Sequence, residues 1–481
     1  MRSASRARVL QLSAFLLLLV SAQGAGAAEG RTSMDLAVRE LGADHDRATA
    51  AVYALQSGGG DAAEALLDAW PSLSLLGQKR AIAALRPLSR EHPAAVEALV
   101  QAARSDDSLL REQALSALRG NPARGSAGLV ALLDDPRVGE RAAALLSRSD
   151  PDFAIAPLLA ALAADGGSER SGLREALATA VQRAKDPGPE LRAWIDADPP
   201  HAAVASAALG LASLESSHEL VTDLVLYALP RADDFVSAWR LLQSASAASP
   251  NAQIDRWLQS QLGGSDAWML RAAAVDALTA RGIREQTRPS LSDPYPRVRV
   301  RVATALSGDA ESMLERATLA RKDTWPMVRA AAVVSLRSEG DALPVVVAAV
   351  DDSMSLVRVA AIETLTPMPH DEGWERIHRR LRASNEWPKV TAAAIGYARA
   401  HCRTDAAESL FRVVMRAAPS HALTDDLNNA ALAIEALRAL GTPEAEAFIA
   451  QLRVTPEVPP TLKMALGQPL PSSERCASPS R

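Results

Sequence analysis

The side chains able to hold a metal or move a proton are thinly spread along this chain. Its eight histidines are His45, His92, His201, His218, His370, His378, His401 and His421. The densest group is "HDEGWERIH", with His370, Asp371, Glu372 and His378. A helix here would leave His370 in the preceding turn and His378 two helical turns along, a poor geometry for one ion. His401 adjoins Cys402 but has no converging ligands beside it in sequence. There is no H-E-x-x-H, no G-x-S-x-G and no phosphate-cradling loop. "GAGAAEG" has the glycines of a dinucleotide fingerprint but follows no strand, so it lacks the context that fingerprint needs. The residues predict no catalytic group, no metal and no cofactor. The two cysteines, Cys402 and Cys476, either form one bond that ties the tail to the body or remain free thiols.

What positions the remaining side chains is a repeat. "DPYPRVRVRVATAL" (Asp293–Leu306) alternates charged and β-branched residues, the period of a half-buried strand. Its copies say otherwise. "DTWPMVRAAAVVSL" (Asp323–Leu336) and "DSMSLVRVAAIETL" (Asp352–Leu365) keep the Asp, the Val-Arg and the final Leu in the same frame. They fill the intervening positions with alanine and with apolar residues at helical spacing. The stretch is therefore a helix that begins near Pro296, with Asp293 in the turn before it. Degenerate copies centre on Ala48, Lys79, Arg111, Arg141, Arg174, Ala205, Arg240, Arg271, Arg299, Arg329, Arg358, Thr391 and Ala430. Steps of 28 to 35 residues, with a last step of 39, leave room for two short helices and two turns.

The motif Asp293-Pro294…Val298-Arg299…Ala303…Leu306 and its copies resemble HEAT repeats, in the short form of phycobilisome-lyase-like proteins. The resemblance covers roughly residues 32–455 and is most specific from Asp266 to Leu365. It implies an all-α, right-handed superhelical solenoid of about 12–13 helical hairpins. It also implies a ladder in which Arg299, Arg329 and Arg358 pair with Asp293, Asp323 and Asp352 or their neighbours. Arg297 and Arg301 fall outside the ladder frame and are expected in solvent. HEAT-type deoxyhypusine hydroxylases hold iron through several His-Glu dipeptides; this chain has one, His218-Glu219. No residue pattern supports lyase-like chromophore attachment.

One constellation recurs. Two residues after each repeat's Asp or Asn stand Trp268, Tyr295, Trp325, Met354 and Trp387. Stacking equivalent turns about 10 Å apart would align them along one edge. Either they form a partner-binding ridge, or each staples its own helix start or packs on the next turn.

Composition bounds the rest. Apolar residues make up 48% and aromatics only 4%, so the core rests on alanine and close helix contacts. A net charge of −5 gives no general attraction to nucleic acid. Arg2, Arg6 and Arg8 followed by apolar Val9–Val20 and small residues at Ala25 and Ala27 predict a signal peptide over 1–27, cut after Ala27 or Ala28. Its style, with the Ala/Arg-rich composition, fits a bacterial chain bound for the periplasm or outside, with no membrane span after cleavage. Residues 456–481, rich in Pro and Ser, are expected to form a flexible tail with at most one helical turn. The function expected is a non-catalytic exported scaffold for a protein or peptide. The alternatives are a HEAT-type enzyme of the lyase-like or hydroxylase-like groups, and a purely structural spacer.

Overall fold

A computed structural model describes residues 27–481, apart from 123, 165–169, 198, 200, 213–217, 233, 338–339, 369–371, 418–422, 457, 468–475 and 477–481. Residues 1–26 of the expected signal segment lie outside the described residues, as do His370, Asp371 and His421. Every regular element among the described residues is helical. The chain divides into two compact units, Met1–Trp257 and Leu258–Arg481.

Each unit is a stack of helical hairpins. In the first, helix Ser171–Arg183 packs on its own partner, Pro151–Ala164, and on the equivalent helices Gly139–Ser149 and His201–Leu211 on either side. In the second, Trp268–Ala280, Pro296–Ala305, Pro326–Ser335, Ser355–Leu365, Pro388–Ala400 and Thr424–Leu440 lie side by side in chain order. Contacts that run only from each repeat to its neighbours define a solenoid.

The sequence explains why these segments are helices. Pro296, Pro326 and Pro388 occupy the first turn, where a missing N–H costs nothing and a fixed φ helps. Val298 and Val302 point inward, followed by Leu306, all fully buried. The alternating stretch is thus the helix Pro296–Ala305. Alanine lines the contact between neighbouring second helices: Ala303, Ala332, Ala361 and Ala394, one per repeat, have no exposed surface. A side chain this small lets backbones approach closely.

The arginines outside the ladder frame are exposed, as expected, and each also has a partner. Arg297 lies over the Trp268 ring at 5.3 Å, and Arg301 pairs with Asp276 at 3.2 Å. A further buried arginine, unexpected from the sequence, braces the opposite end of a hairpin. Arg316 donates to the Asp309 carbonyl (2.5 Å), the Ser312 hydroxyl (3.1 Å) and the Ser335 carbonyl (2.8 Å).

The C-terminal segment corrects the expected tail. Pro460–Gly467 forms a two-turn helix that buries Leu462, Ala465 and Leu466. Arg438 and Arg453 donate to its last carbonyls, at Ala465 (2.8 Å) and Leu466 (3.3 Å). Farther on, Cys476 is bonded to Cys402, which decides between the two cysteine readings, and the Cys476 N–H donates to the Ala439 carbonyl (2.9 Å). Three apolar residues at i, i+3 and i+4 thus pack on the preceding hairpin, Thr424–Leu440 and Pro443–Val454.

Two outcomes are expected. Reducing the Cys402–Cys476 bond, or replacing both cysteines by Ser, should lower unfolding stability by about 2–4 kcal/mol in urea titration, because a 74-residue loop is released in the unfolded chain. Arg329→Ala should cost about 1–3 kcal/mol, because it leaves the partly buried Asp352 without its arginine. By contrast, Arg141→Ala, which breaks an exposed pair with Glu112, should cost under ~1 kcal/mol. Equal effects of the two arginine changes would refute the ladder's structural weight.

Candidate binding edge

The ladder is offset by one repeat from the simplest expectation. Arg271 grips Asp293 with two bonds (2.7 and 3.0 Å). Arg299 grips Asp323 (2.8 and 3.0 Å), and Arg329 grips Asp352 (2.9 and 2.8 Å). Arg358 reaches Glu386 (2.5 Å) in place of an aspartate. Each arginine therefore serves the carboxylate of the next repeat. It serves its own repeat with its remaining nitrogen, which donates to the carbonyl of Asp293, Asp323 or Asp352 (2.6, 2.8 and 2.8 Å). At Thr391 the frame has no arginine, and Asn429 instead donates across to the Pro388 carbonyl (3.0 Å).

The same carboxylates hold the aromatic positions. Asp293, Asp323 and Asp352 accept the backbone N–H of Tyr295 (2.7 Å), Trp325 (2.9 Å) and Met354 (2.8 Å), and Glu386 accepts that of Trp387 (2.8 Å). Tyr295, Trp325, Met354 and Trp387 are the N-cap residues of their helices; Trp268 is the first residue of its own. With the backbone fixed and the following helix turning away, the side chain points outward.

The structure splits the five into two groups. Trp268 and Tyr295 are half-buried and stack on each other, with ring centroids 4.4 Å apart. Trp325, Met354 and Trp387 are exposed at 51%, 46% and 64% of their surface. Packing on the next turn therefore describes the first pair, and an open apolar row describes the other three. Sequence reasoning missed residues that extend the row: Met269, Met327 and Leu356, each at the second helical position, are also exposed. The signal was available, since an apolar residue there lies off the helix's buried stripe.

Burial of Asp352 works against its ionisation, but the bonds from Arg329 and the Met354 amide outweigh it, and its pKa lies below the usual carboxylate range. At neutral pH Asp352 is ionised whether folded or unfolded, and the pair contributes in full. Below about pH 4 the unfolded chain takes up the proton first, and that stability is lost as pH falls through the folded value. Unfolding stability should therefore hold from neutral pH to about pH 5 as far as this pair is concerned. It should decline below about pH 4 in the native chain by more than in Asp352→Asn, as read by denaturant titration at each pH. Parallel declines would exclude the ladder as the cause.

A second cluster in this unit has the residue types of a nucleophilic site. Ser409 Oγ lies 3.0 Å from His378 Nε2, and burial lowers the histidine's pKa. Its geometry is that of packing. Ser409 is buried, and His378 is stacked on Trp374 at 4.7 Å. Asp405 accepts from the Trp374 indole (2.7 Å) and from Arg403, which itself lies over the Trp374 ring. Likewise His401 is stacked on Tyr397 and bonded to the Thr366 carbonyl (2.9 Å). Among the described residues no three metal-ligating side chains converge, and no helix is long and apolar enough to cross a membrane. An open groove of about 840 Å³ runs between helices Ser355–Leu365 and Pro388–Ala400. Val359, Ala392, Ala393 and Gly396 help to line it, with Glu363 and Lys389 as its charged groups.

No protein-family model matches the chain, and no curated protein sequence matches it. Among solved structures it is similar to Kap121p bound to Ste12p, at 13% identity and a TM-score of 0.53, covering 92% of this chain and 58% of that one. It is equally similar to Kap121p alone, at 14% identity and a TM-score of 0.53, covering 94% and 58%. The chain thus spans less than two thirds of the length of either. At this identity the likeness is one of fold: a HEAT/armadillo-type helical-repeat solenoid.

Proposed function

We propose that this chain is a non-catalytic scaffold that binds a protein or peptide along the edge carrying Trp325, Met354 and Trp387. The observation that carries the reading is their exposure. Three large apolar side chains, held at successive repeats by buried ion pairs, leave about half of their surface in water. Rigid aromatics presented in a row are typical anchors of protein interfaces, and contiguous exposed apolar surface marks partner sites. Solenoids bind partners over extended surfaces without needing an enclosed pocket. Kap121p, crystallised with Ste12p, is a protein of similar fold with a protein partner bound.

We place the chain in an oxidising compartment, reached through the signal segment read at residues 1–27. The Cys402–Cys476 bond supports this, because disulfides persist outside reducing cytosol.

Cross-linking capture from the native exported fractions tests the function. Trp325→Ala/Trp387→Ala should stay folded, since truncating exposed side chains costs about 0.5 kcal/mol or less each. It should nevertheless lose at least ~30-fold in affinity for the captured partner, as expected when a central aromatic contributes about 2 kcal/mol. Equal capture by native and variant chains would remove this edge from the function.

A further inference from the structure

The edge has a charge pattern as well as an apolar one, and the ladder creates it. In the turns that lead into the second helices, from Asp293 to Lys389, there are five carboxylates: Asp293, Asp323, Asp351, Asp352 and Glu386. Every one meets an arginine. Four are the ladder pairs, and Asp351 is met by Arg376 and Arg380, with Arg379 at 3.6 Å. The basic residues of the same turns are not matched in this way. Arg297, Arg321, Lys322, Arg382 and Lys389 are all exposed, and none of the five pairs with a carboxylate among the described residues. Lys322 lies three residues before Trp325, and Lys389 two after Trp387. Arg382 ends the helix that leads into the Trp387 turn. A chain of net charge −5 therefore presents, beside its exposed tryptophans, turns whose unpaired charges are positive, with Glu363 the one acidic group in the groove that Lys389 helps to line.

Resting on the scaffold reading above, we infer that the segment this edge binds is an acidic peptide: carboxylates interspersed with apolar side chains. The apolar side chains meet Trp325, Met327, Met354, Leu356 and Trp387. The carboxylates meet Arg321, Lys322, Arg382 and Lys389, and they accelerate encounter and fix orientation more than they add affinity. The buried ladder aspartates cannot repel such a peptide, because each is already neutralised by an arginine at 2.7–2.8 Å in Asp293, Asp323 and Asp352.

The test measures binding to the full chain by fluorescence anisotropy with three labelled pools of random 12-residue peptides. One pool is built from Asp, Glu, Leu and Phe; one from Lys, Arg, Leu and Phe; one from Ser, Gly, Leu and Phe. Phosphatidylglycerol vesicles and heparin fragments run beside them. The acidic pool should bind at least tenfold more tightly than the other two, and should weaken as salt rises. Lys322→Glu/Lys389→Glu should lower its affinity about tenfold with an unchanged melting profile, and Trp325→Ala/Trp387→Ala should abolish the rest. Basic or neutral pools binding as well as the acidic one, and still lost in the tryptophan variant, would overturn the acidic partner while leaving the edge in place. Binding of the acidic pool that ignores the tryptophan variant would overturn the edge itself. Vesicles or heparin retained more tightly than the acidic pool, or no pool retained at all, would also overturn the acidic peptide.

Discussion

The contact on which unit Leu258–Arg481 depends is the two-pronged bond from an arginine of one repeat to the turn carboxylate of the next. A core made largely of alanine buries area and excludes water. Its small, similar side chains give little resistance to one helix sliding along another. A planar guanidinium fixed on two carboxylate oxygens does resist sliding, because a shift of an ångström breaks both bonds. The same arginine holds its own turn through a backbone carbonyl, and the same carboxylate holds the amide of the following N-cap residue. One pair thus sets the spacing between repeats, the shape of each turn and the direction of the side chain that leaves it. Such a pair contributes little net energy over an apolar replacement, since desolvating both ions offsets most of their attraction. What it supplies is register.

This division of labour explains what could be read from the residues alone. The repeat was legible because ladder and core both recur at about thirty residues. The helical nature of Asp293–Leu306 was legible only from its copies, since Arg297, Arg299 and Arg301 imitate a strand and Val298, Val302 and Leu306 carry the helical stripe equally well. The partner of each arginine was not legible. Spacing cannot distinguish an aspartate six residues before the arginine from one about 24 after it, and the structure selects the second. Arg316 was missed because it sits in the first helix of its hairpin, outside the frame, and its acceptors are mostly backbone carbonyls with no sequence signature. The C-terminal helix was hidden by its flanking prolines, although Leu462, Ala465 and Leu466 have the spacing of a buried stripe.

The candidate edge was half legible. Recurrence of a large apolar residue two places after the turn acid identified the frame, and packing and display were both consistent with it. The structure separates them by neighbours. Trp268 has Tyr295 to stack on and Arg297 above it, so its face is covered within the chain. Among the described residues no ring of the next repeat stacks on Trp325 or Trp387, and the corresponding positions after them are Met354 and Leu427. Where a repeat supplies a second ring, the pair closes on itself; where it does not, the ring stays in water.

Exposed tryptophan carries a standing cost to a solenoid. Equivalent edges of two chains can associate through it, and an apolar row along an open edge invites that association. The unpaired cations beside the row counter this. Two copies of the edge would bring Arg321, Lys322, Arg382 and Lys389 against their own kind, and like charges across an interface disfavour it. An acidic segment meets the same residues as attraction. The ladder makes this asymmetry possible. By holding Asp293, Asp323, Asp352 and Glu386 on arginines, it leaves the charge of these turns beside the apolar row mainly positive. The interaction that fixes the spacing of the repeats therefore also determines which charges the edge presents to a partner.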